Sequence, residues 1–520
     1  MAIQRNFVCG LVLAGLALVW AQSPSPAPAG VSTRLVRLRV NAVDEQGKPA
    51  DLTADDIRVT DQGKAQRIVL FRREGTAASA PNEFSNRPAA ARRPVTVVLL
   101  DLLNQGTAEQ MNSVKEVGRA LQETESGDSL YLYVLTMDGT LDPIRPISTT
   151  GSPADSQWTK QADSLLDKAR KDANRTRPRG LTQEMGVKKT YVALETLTGQ
   201  LAAFPGRRNI VWITNQLPTI WESHATSTAW DPVDSYVNPM GGIGALSGLH
   251  DDRTGKVYAE GDSRCKGDWM GCSLYLPHLT LALEKASIAV YPISLAGALD
   301  PNYARGMEEF ANMTGGRSFV SKTVGAAIKQ AADDGRAGSY VVAYAPPPEF
   351  WNGKYHHISV TSARKGVSIE APQRYLASPD KRPDDVREQA ALAMTFNTPF
   401  DVDNVGLRAT VARAADQKSV RLTIHVSADD LVLAQQGDHF GGQVTVSWVN
   451  YSAAGPTGTP GMARLALQLT AAQREAAAKD GIPIVQDVPI DDGVQLVRLF
   501  VVDRTTDVAG SLAIPVPPKS

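Results

Sequence analysis

The chain has 520 residues, with 54 basic against 55 acidic side chains for a net charge of −1, 42% hydrophobic residues and 21% charged ones. One hydrophobic core stops growing near ~250–300 residues, so several domains are expected, and the ordinary composition excludes a fibrous or wholly disordered chain. The balanced charge supplies no electrostatic attraction to nucleic acid or to an anionic membrane surface.

The first residues read as an export signal over 1–21. Arg5 is the basic flank, Phe7 to Trp20 is an uncharged apolar run, and Val19-x-Ala21 fits a small-residue cleavage site before Gln22. The run is shorter than the ~20 residues a membrane span needs, so membrane attachment is expected only as the alternative of an uncleaved signal. An exported protein, periplasmic, in the cell envelope or secreted, is the expectation. Residues 22–30 form a Pro/Ala spacer.

A β module is expected over 31–75. Residues 34–43 alternate apolar and polar as a half-buried strand does, and 57–60 and 67–71 are expected to form a hairpin about a turn at Asp61-Gln-Gly63. Residues 72–93, rich in Ala, Arg, Asn and Pro, read as an exposed linker.

From Pro94 strands and helices alternate, which predicts an α/β unit over 94–332 built on a parallel sheet covered on both faces. Strands are expected at 95–100, 129–135, 209–214 and 288–293, with helices at 107–123, 154–171, 189–203 and 277–287. Residues 338–377 return to strands that offer partners to the N-terminal ones, making the α/β unit an insertion in a split module. A linker with a short helix follows over 381–404. Alternating strands over 405–520, among them Val420 to Val426 and Val444 to Trp448, suggest an immunoglobulin- or fibronectin-like β-sandwich.

Several stretches of the α/β unit, in order, resemble a von Willebrand factor A domain, a Rossmann-like fold. Val95-Thr-Val-Val-Leu-Leu-Asp101 resembles its first strand, Gly127-Asp-Ser-Leu-Tyr-Leu-Tyr-Val134 the entry to the next, and Asn209-Ile-Val-Trp-Ile-Thr-Asn215 the strand that ordinarily ends in Thr-Asp-Gly. Val290-Tyr-Pro-Ile293 and Met313-Thr-Gly-Gly-Arg-Ser-Phe319 resemble its closing segments. The flanks Val43 to Gly47, Leu52 to Asp56 and Tyr340 to Tyr344 make the chain similar to exported A-domain-related proteins known mainly from Acidobacteria. The resemblance implies a metal-ion-dependent adhesion site, in which oxygens of Asp-x-Ser-x-Ser, a distant Thr and a distant Asp hold magnesium or calcium. Here Asp101 stands in the first place, Leu103 and Gln105 replace the serines, Asn215 replaces the distant Asp, and Thr190 is the nearest candidate threonine. The site is therefore expected to be degenerate. Asp101, Asn104 and Asn215 are its remaining candidate ligands for magnesium or calcium, which the protein is not expected to require. The competing structural reading has Asn104 capping the helix that follows and Asp101 bonding to loop amides.

The segment 216–275 departs furthest from a minimal A domain. It holds Trp221, Trp230 and Trp269, a glycine-rich stretch, and Cys265 and Cys272, which are expected to close a local disulfide in an oxidising compartment. Loops of roughly 60 residues inside a compact domain are usually functional or disordered, so the tryptophans are candidates for binding a partner.

Catalytic patterns are weak. Gly127-Asp-Ser129-Leu copies a short esterase motif, but the serine is expected to begin a strand and no Asp-x-x-His stands near the end of the unit. The sequence thus points to an exported, non-catalytic protein-binding or adhesion-type protein whose partner is another protein. A hydrolase using the strand-end pocket, or a purely structural envelope component, is the alternative.

Overall fold

The computed structural model describes residues 34–74, 83–87, 95–123, 129–147, 156–175, 183–202, 204, 207–215, 275–295, 301–320, 324–334, 338–378, 383–396, 401–415 and 417–518. The signal peptide and spacer expected at 1–30 lie outside the described residues. So does the insertion up to residue 274, with Trp221, Trp230, Trp269 and the Cys265–Cys272 pair.

The α/β unit is built on a six-stranded mixed sheet. In chain order its strands are Val95–Asp101, Leu130–Leu135, Leu141–Arg145, Arg208–Ile213, Ile288–Ser294 and Phe319–Val320. Numbered in that sequence, their spatial order is 3-2-1-4-5-6, all parallel except the third, which runs antiparallel to the second. This is the order of a doubly wound sheet. The central strands form from largely apolar runs, and period-2 alternation divides their side chains between two cores. Val98, Leu100, Val211 and Ile213 share one core with Val117, Leu121, Leu166 and Ile328, from the helices Thr107–Gln122, Ala162–Arg175 and Val324–Asp334. Val97, Leu99, Ile210 and Trp212 share the other with Leu194, Leu197, Leu283 and Phe310, from the helices Gln183–Ala202, Tyr275–Lys285 and Pro301–Thr314. Close approach is enforced at Gly316, where any Cβ would collide with the backbone carbonyl of Val290. The Thr314-Gly-Gly turn is thereby a packing device.

Two four-stranded antiparallel sheets enclose a second core. In one, Val36–Val43 lies between Ser368–Glu370 and Gly338–Tyr344, and Gly338–Tyr344 also pairs with Ile68–Arg73. In the other, Tyr355–Ser362 lies between Arg374–Leu376 and Ile57–Asp61. The chain thus leaves this module after Arg73 and re-enters it at Gly338. The hairpin expected at Gly63 differs from the reading above. Ile57–Asp61 turns through Gln62 and Gly63, both at positive φ, into the three-residue strand Lys64–Gln66, and Ile68–Arg73 crosses to the opposite sheet. The two-residue turn dictates the immediate partner, and Ile68 and Phe71 pack the next strand against the shared core from the opposite sheet.

The C-terminal unit is a pair of antiparallel sheets around a third core. Leu407–Arg413, Ser419–Val426 and Ile482–Pro489 form one, and His439–Ser452, Gly455–Thr470, Leu496–Asp503 and Val508–Pro515 the other. The helix Ala471–Asp480, capped by Thr470 in a capping box with Gln473, joins them. The segment read as an exposed linker is in part a strand of this unit. Phe84–Ser85 pairs with Leu407–Arg413, and the buried Asn86 amide donates to the carbonyls of Val402 and Val405 and accepts from the Leu407 amide. The helix expected within the linker, Asp384–Phe396, also docks here. Its buried Glu388 binds Thr445, Arg464 and Arg504. Among the described residues no helix is long and apolar enough to cross a membrane.

Candidate functional site

In a doubly wound sheet the crevice for ligands opens at the carboxyl ends of the strands where the order reverses, between the first and fourth strands. Register brings Leu100 beside Ile213 there, so Asp101 and Thr214 follow as neighbours at the strand ends. Asp101 is fully buried. Its Oδ1 accepts the Asn104 backbone N–H at 3.1 Å. Its Oδ2 accepts from Asn104 Nδ2 at 2.7 Å, Thr214 Oγ1 at 2.9 Å and Trp212 Nε1 at 3.3 Å. Burial pushes the Asp101 carboxyl above the ordinary carboxylate range, and these donors pull part of the way back.

Asn104 Nδ2 also donates to Thr190 Oγ1 at 2.7 Å, and that hydroxyl passes its own proton to the Gly186 carbonyl at 2.9 Å. The helix Gln183–Ala202 is thereby tied to the first strand end. Asn104 does not cap the helix Thr107–Gln122. Gly106 occupies the cap position, and Glu109 Oε2 reaches back to its N–H at 2.7 Å.

The third candidate ligand turns elsewhere. Asn215 Oδ1 accepts from Ser294 Oγ at 3.2 Å, on the fifth strand, while its buried Nδ2 has no partner. Of the two positions that replace serines, one is apolar and the other is an amide whose buried Oε1 has no donor among the described residues. Leu103 packs in the core with Tyr133 and Leu194, and Gln105 donates Nε2 to the Ile213 carbonyl. A magnesium or calcium ion needs roughly six or more oxygens with free lone pairs. Asp101, Asn104 and Asn215 do not fit one, because Asp101 already meets four internal donors and Asn104 presents nitrogen rather than oxygen to it. Among the described residues no group of three or more His, Cys, Asp or Glu side chains is placed to hold a metal.

Trp212 and Thr214 are the members the sequence reading missed. The signal was available: Trp212 lies on the strand aligned with Val95–Asp101, and Thr214 follows that strand's end as Asp101 follows Leu100, the partner of Ile213. Ser129 of the esterase-like motif lies at the opposite end of the sheet, where its carbonyl accepts from Thr96 N at 2.9 Å. The paired histidines split as period 2 requires: His356 is buried against Asp61, and His357 is exposed.

No family model and no curated protein matches this chain. Solved structures similar to it include the human COPII-coat protein Sec24c, at 9% identity and a TM-score of 0.23, covering 81% of this chain and 43% of that one. They also include a von Willebrand factor type A protein from Catenulispora acidiphila, at 10% identity and a TM-score of 0.24, covering 89% of this chain and 72% of that one. The chain thus spans less than half the length of the coat protein it matches. Scores this low leave the fold to rest on its own topology, a mixed six-stranded α/β sheet flanked by antiparallel sheets.

Proposed function

We propose that this chain is an exported, non-catalytic interaction protein that binds a protein partner through the strand-end face of a von Willebrand factor A-type unit with a degenerate metal site. The observation that carries the reading is the state of the switch point. The carboxylate at the end of the first strand has its lone pairs turned toward internal donors, and its atoms are shielded from solvent. A general base must present a free lone pair to a substrate proton, and a nucleophile needs such a base in reach; this carboxylate is committed to holding loops in place. The strand order 3-2-1-4-5-6 with an antiparallel third strand, and an aspartate closing the first strand, support the A-type assignment. The face also carries Met111, 58% exposed in the second turn of the helix that leaves the first strand. In the sequence the insertion 216–275, with the candidate binding residues Trp221, Trp230 and Trp269, follows the fourth strand, and its residues up to 274 lie outside the described ones.

A photo-crosslinking residue placed at Met111, with a control at the exposed Val485 of the C-terminal unit, tests this in the cells that make the protein. A discrete adduct at Met111 alone is expected. Equal labelling at both positions, or a hydrolytic activity of the purified chain abolished by Asp101→Asn, would overturn it.

A further inference from the structure

We propose that the side-chain amide of Asn104 stands in the place of a bound cation, so that the strand-end site is held together without any metal and works independently of divalent ions. The functional half of this inference rests on reading the switch point as the recognition face; the chemical half does not. One nitrogen, Asn104 Nδ2, lies 2.7 Å from Asp101 Oδ2 and 2.7 Å from Thr190 Oγ1. It bridges two oxygens, one from the strand end three residues before it and one from a helix residue 86 positions after it. A cation bridges such oxygens by accepting their lone pairs, and the two N–H groups of a primary amide do the same with two hydrogen bonds.

The surroundings are built for the amide. The Thr190 hydroxyl donates to Gly186 O, which leaves its lone pair for Asn104. Asn104's own backbone N–H meets Asp101 Oδ1, fixing the side chain's starting point. Thr214 and Trp212 donate to Asp101 Oδ2, the oxygen that also accepts from the Asn104 amide. Magnesium at ~2.0–2.1 Å from Asp101 would have to displace the amide and at least one of these donors. Of the neighbouring replacements, Leu103 is in the core and offers no oxygen, and Gln105 meets Ile213 through its nitrogen, leaving a single buried amide oxygen, Oε1, without a donor among the described residues.

The test is cation titration with magnesium, calcium and manganese chlorides, read by calorimetry and by the melting temperature of the purified chain. For the natural sequence no saturable heat is expected, and neither the ions nor a chelator moves the melting temperature. Asn104→Asp sets a second carboxylate against Asp101. It is expected to melt lower, to recover with divalent cation and to bind it saturably, whereas Asn104→Leu melts lower without recovery. Saturable binding by the natural chain that Asp101→Asn abolishes would overturn the proposal, and so would equal cation responses in the two variants. Should Asn104→Asp fail to fold, the titration of the natural chain decides alone. A failure of crosslinking at Met111 would sink the recognition reading and leave the metal-free bridge at Asn104 standing, so the two fail separately.

Discussion

Arg87 Nη2 lies 2.7 Å from Oδ2 of Asp430, a carboxylate with no solvent exposure, and Arg72 Nε lies 2.9 Å from Oδ1 of the same group. Arg72 ends the N-terminal module, Arg87 sits just before the α/β unit, and Asp430 belongs to the C-terminal sandwich, so one buried anion clamps three parts of the chain. Burial pushes the Asp430 carboxyl up, and Arg72, Arg87 and the Gly406 N–H more than reverse this, holding it below the ordinary range. Removing the anion strands two guanidinium groups in a dry site. Asp430→Asn is expected to cost about 3–5 kcal/mol of stability, measured by urea denaturation. A loss below ~1 kcal/mol would show the clamp to be dispensable.

Asp61 is the corresponding knot of the split module. Its Oδ2 accepts from Tyr344 OH at 2.9 Å and Tyr375 OH at 2.8 Å, and its Oδ1 faces His356 Nδ1 at 3.0 Å, all within the buried core. Both tyrosines come from the chain's return after the α/β unit. Tyr344→Phe leaves the carboxylate one donor short and is expected to cost about 1–3 kcal/mol, read from the denaturation midpoint at unchanged slope. An unchanged midpoint would count against the knot.

Glu195 is 3% exposed on the helix Gln183–Ala202, and its Oε2 has no partner. Burial pushes its carboxyl from 4.5 up to about 8. The folded chain therefore holds this proton where the unfolded chain releases it. Its contribution is complete below 4.5 and is lost as pH rises toward about 8, with a slope approaching ~1.4 kcal/mol per pH unit. Asp101, also raised by burial, acts in the same direction. Glu195→Gln is expected to flatten this decline in denaturation series across the window. A variant with the same pH slope as the natural chain would exclude Glu195 as the source.

The export reading predicts a mature amino terminus at Gln22, checked by mass spectrometry of the secreted or periplasmic chain. A non-reducing peptide map of the same material is expected to join Cys265 to Cys272. An intact Met1 would mean that the signal is not cleaved, and free thiols that the cysteine pair does not close.

How far residues alone carry such a reading differs from element to element. The run Val95 to Leu100, apolar apart from Thr96, is legible as a strand buried on both faces, and it occupies the middle of the six-stranded sheet. The alternation of residues 36–43 is equally plain, with Val36, Leu38 and Val40 inside. Residues 83–87 were illegible, because Asn86 and Arg87 look like solvent-facing linker until Leu407 and Asp430, more than three hundred residues away, supply their partners. The same holds for Asn104. Its position before a helix suggested a cap, whereas Glu109 and Gly106 satisfy that helix end and free the amide for Asp101 and Thr190.

The sequence by itself determined the buried central strands of the α/β unit, which of their faces are apolar, and that the serines and second aspartate of an adhesion site are missing beside Asp101. These are properties of local spacing and residue type, which any stretch of chain carries with it. Only the tertiary structure decided that Ile68–Arg73 pairs with Gly338–Tyr344, that Asp430 gathers Arg72 and Arg87, and that an amide nitrogen fills the gap between Asp101 and Thr190. Periodicity states which side of an element is buried. The partner of a polar group is set by what the closed fold brings within hydrogen-bond reach, a distance no local pattern encodes.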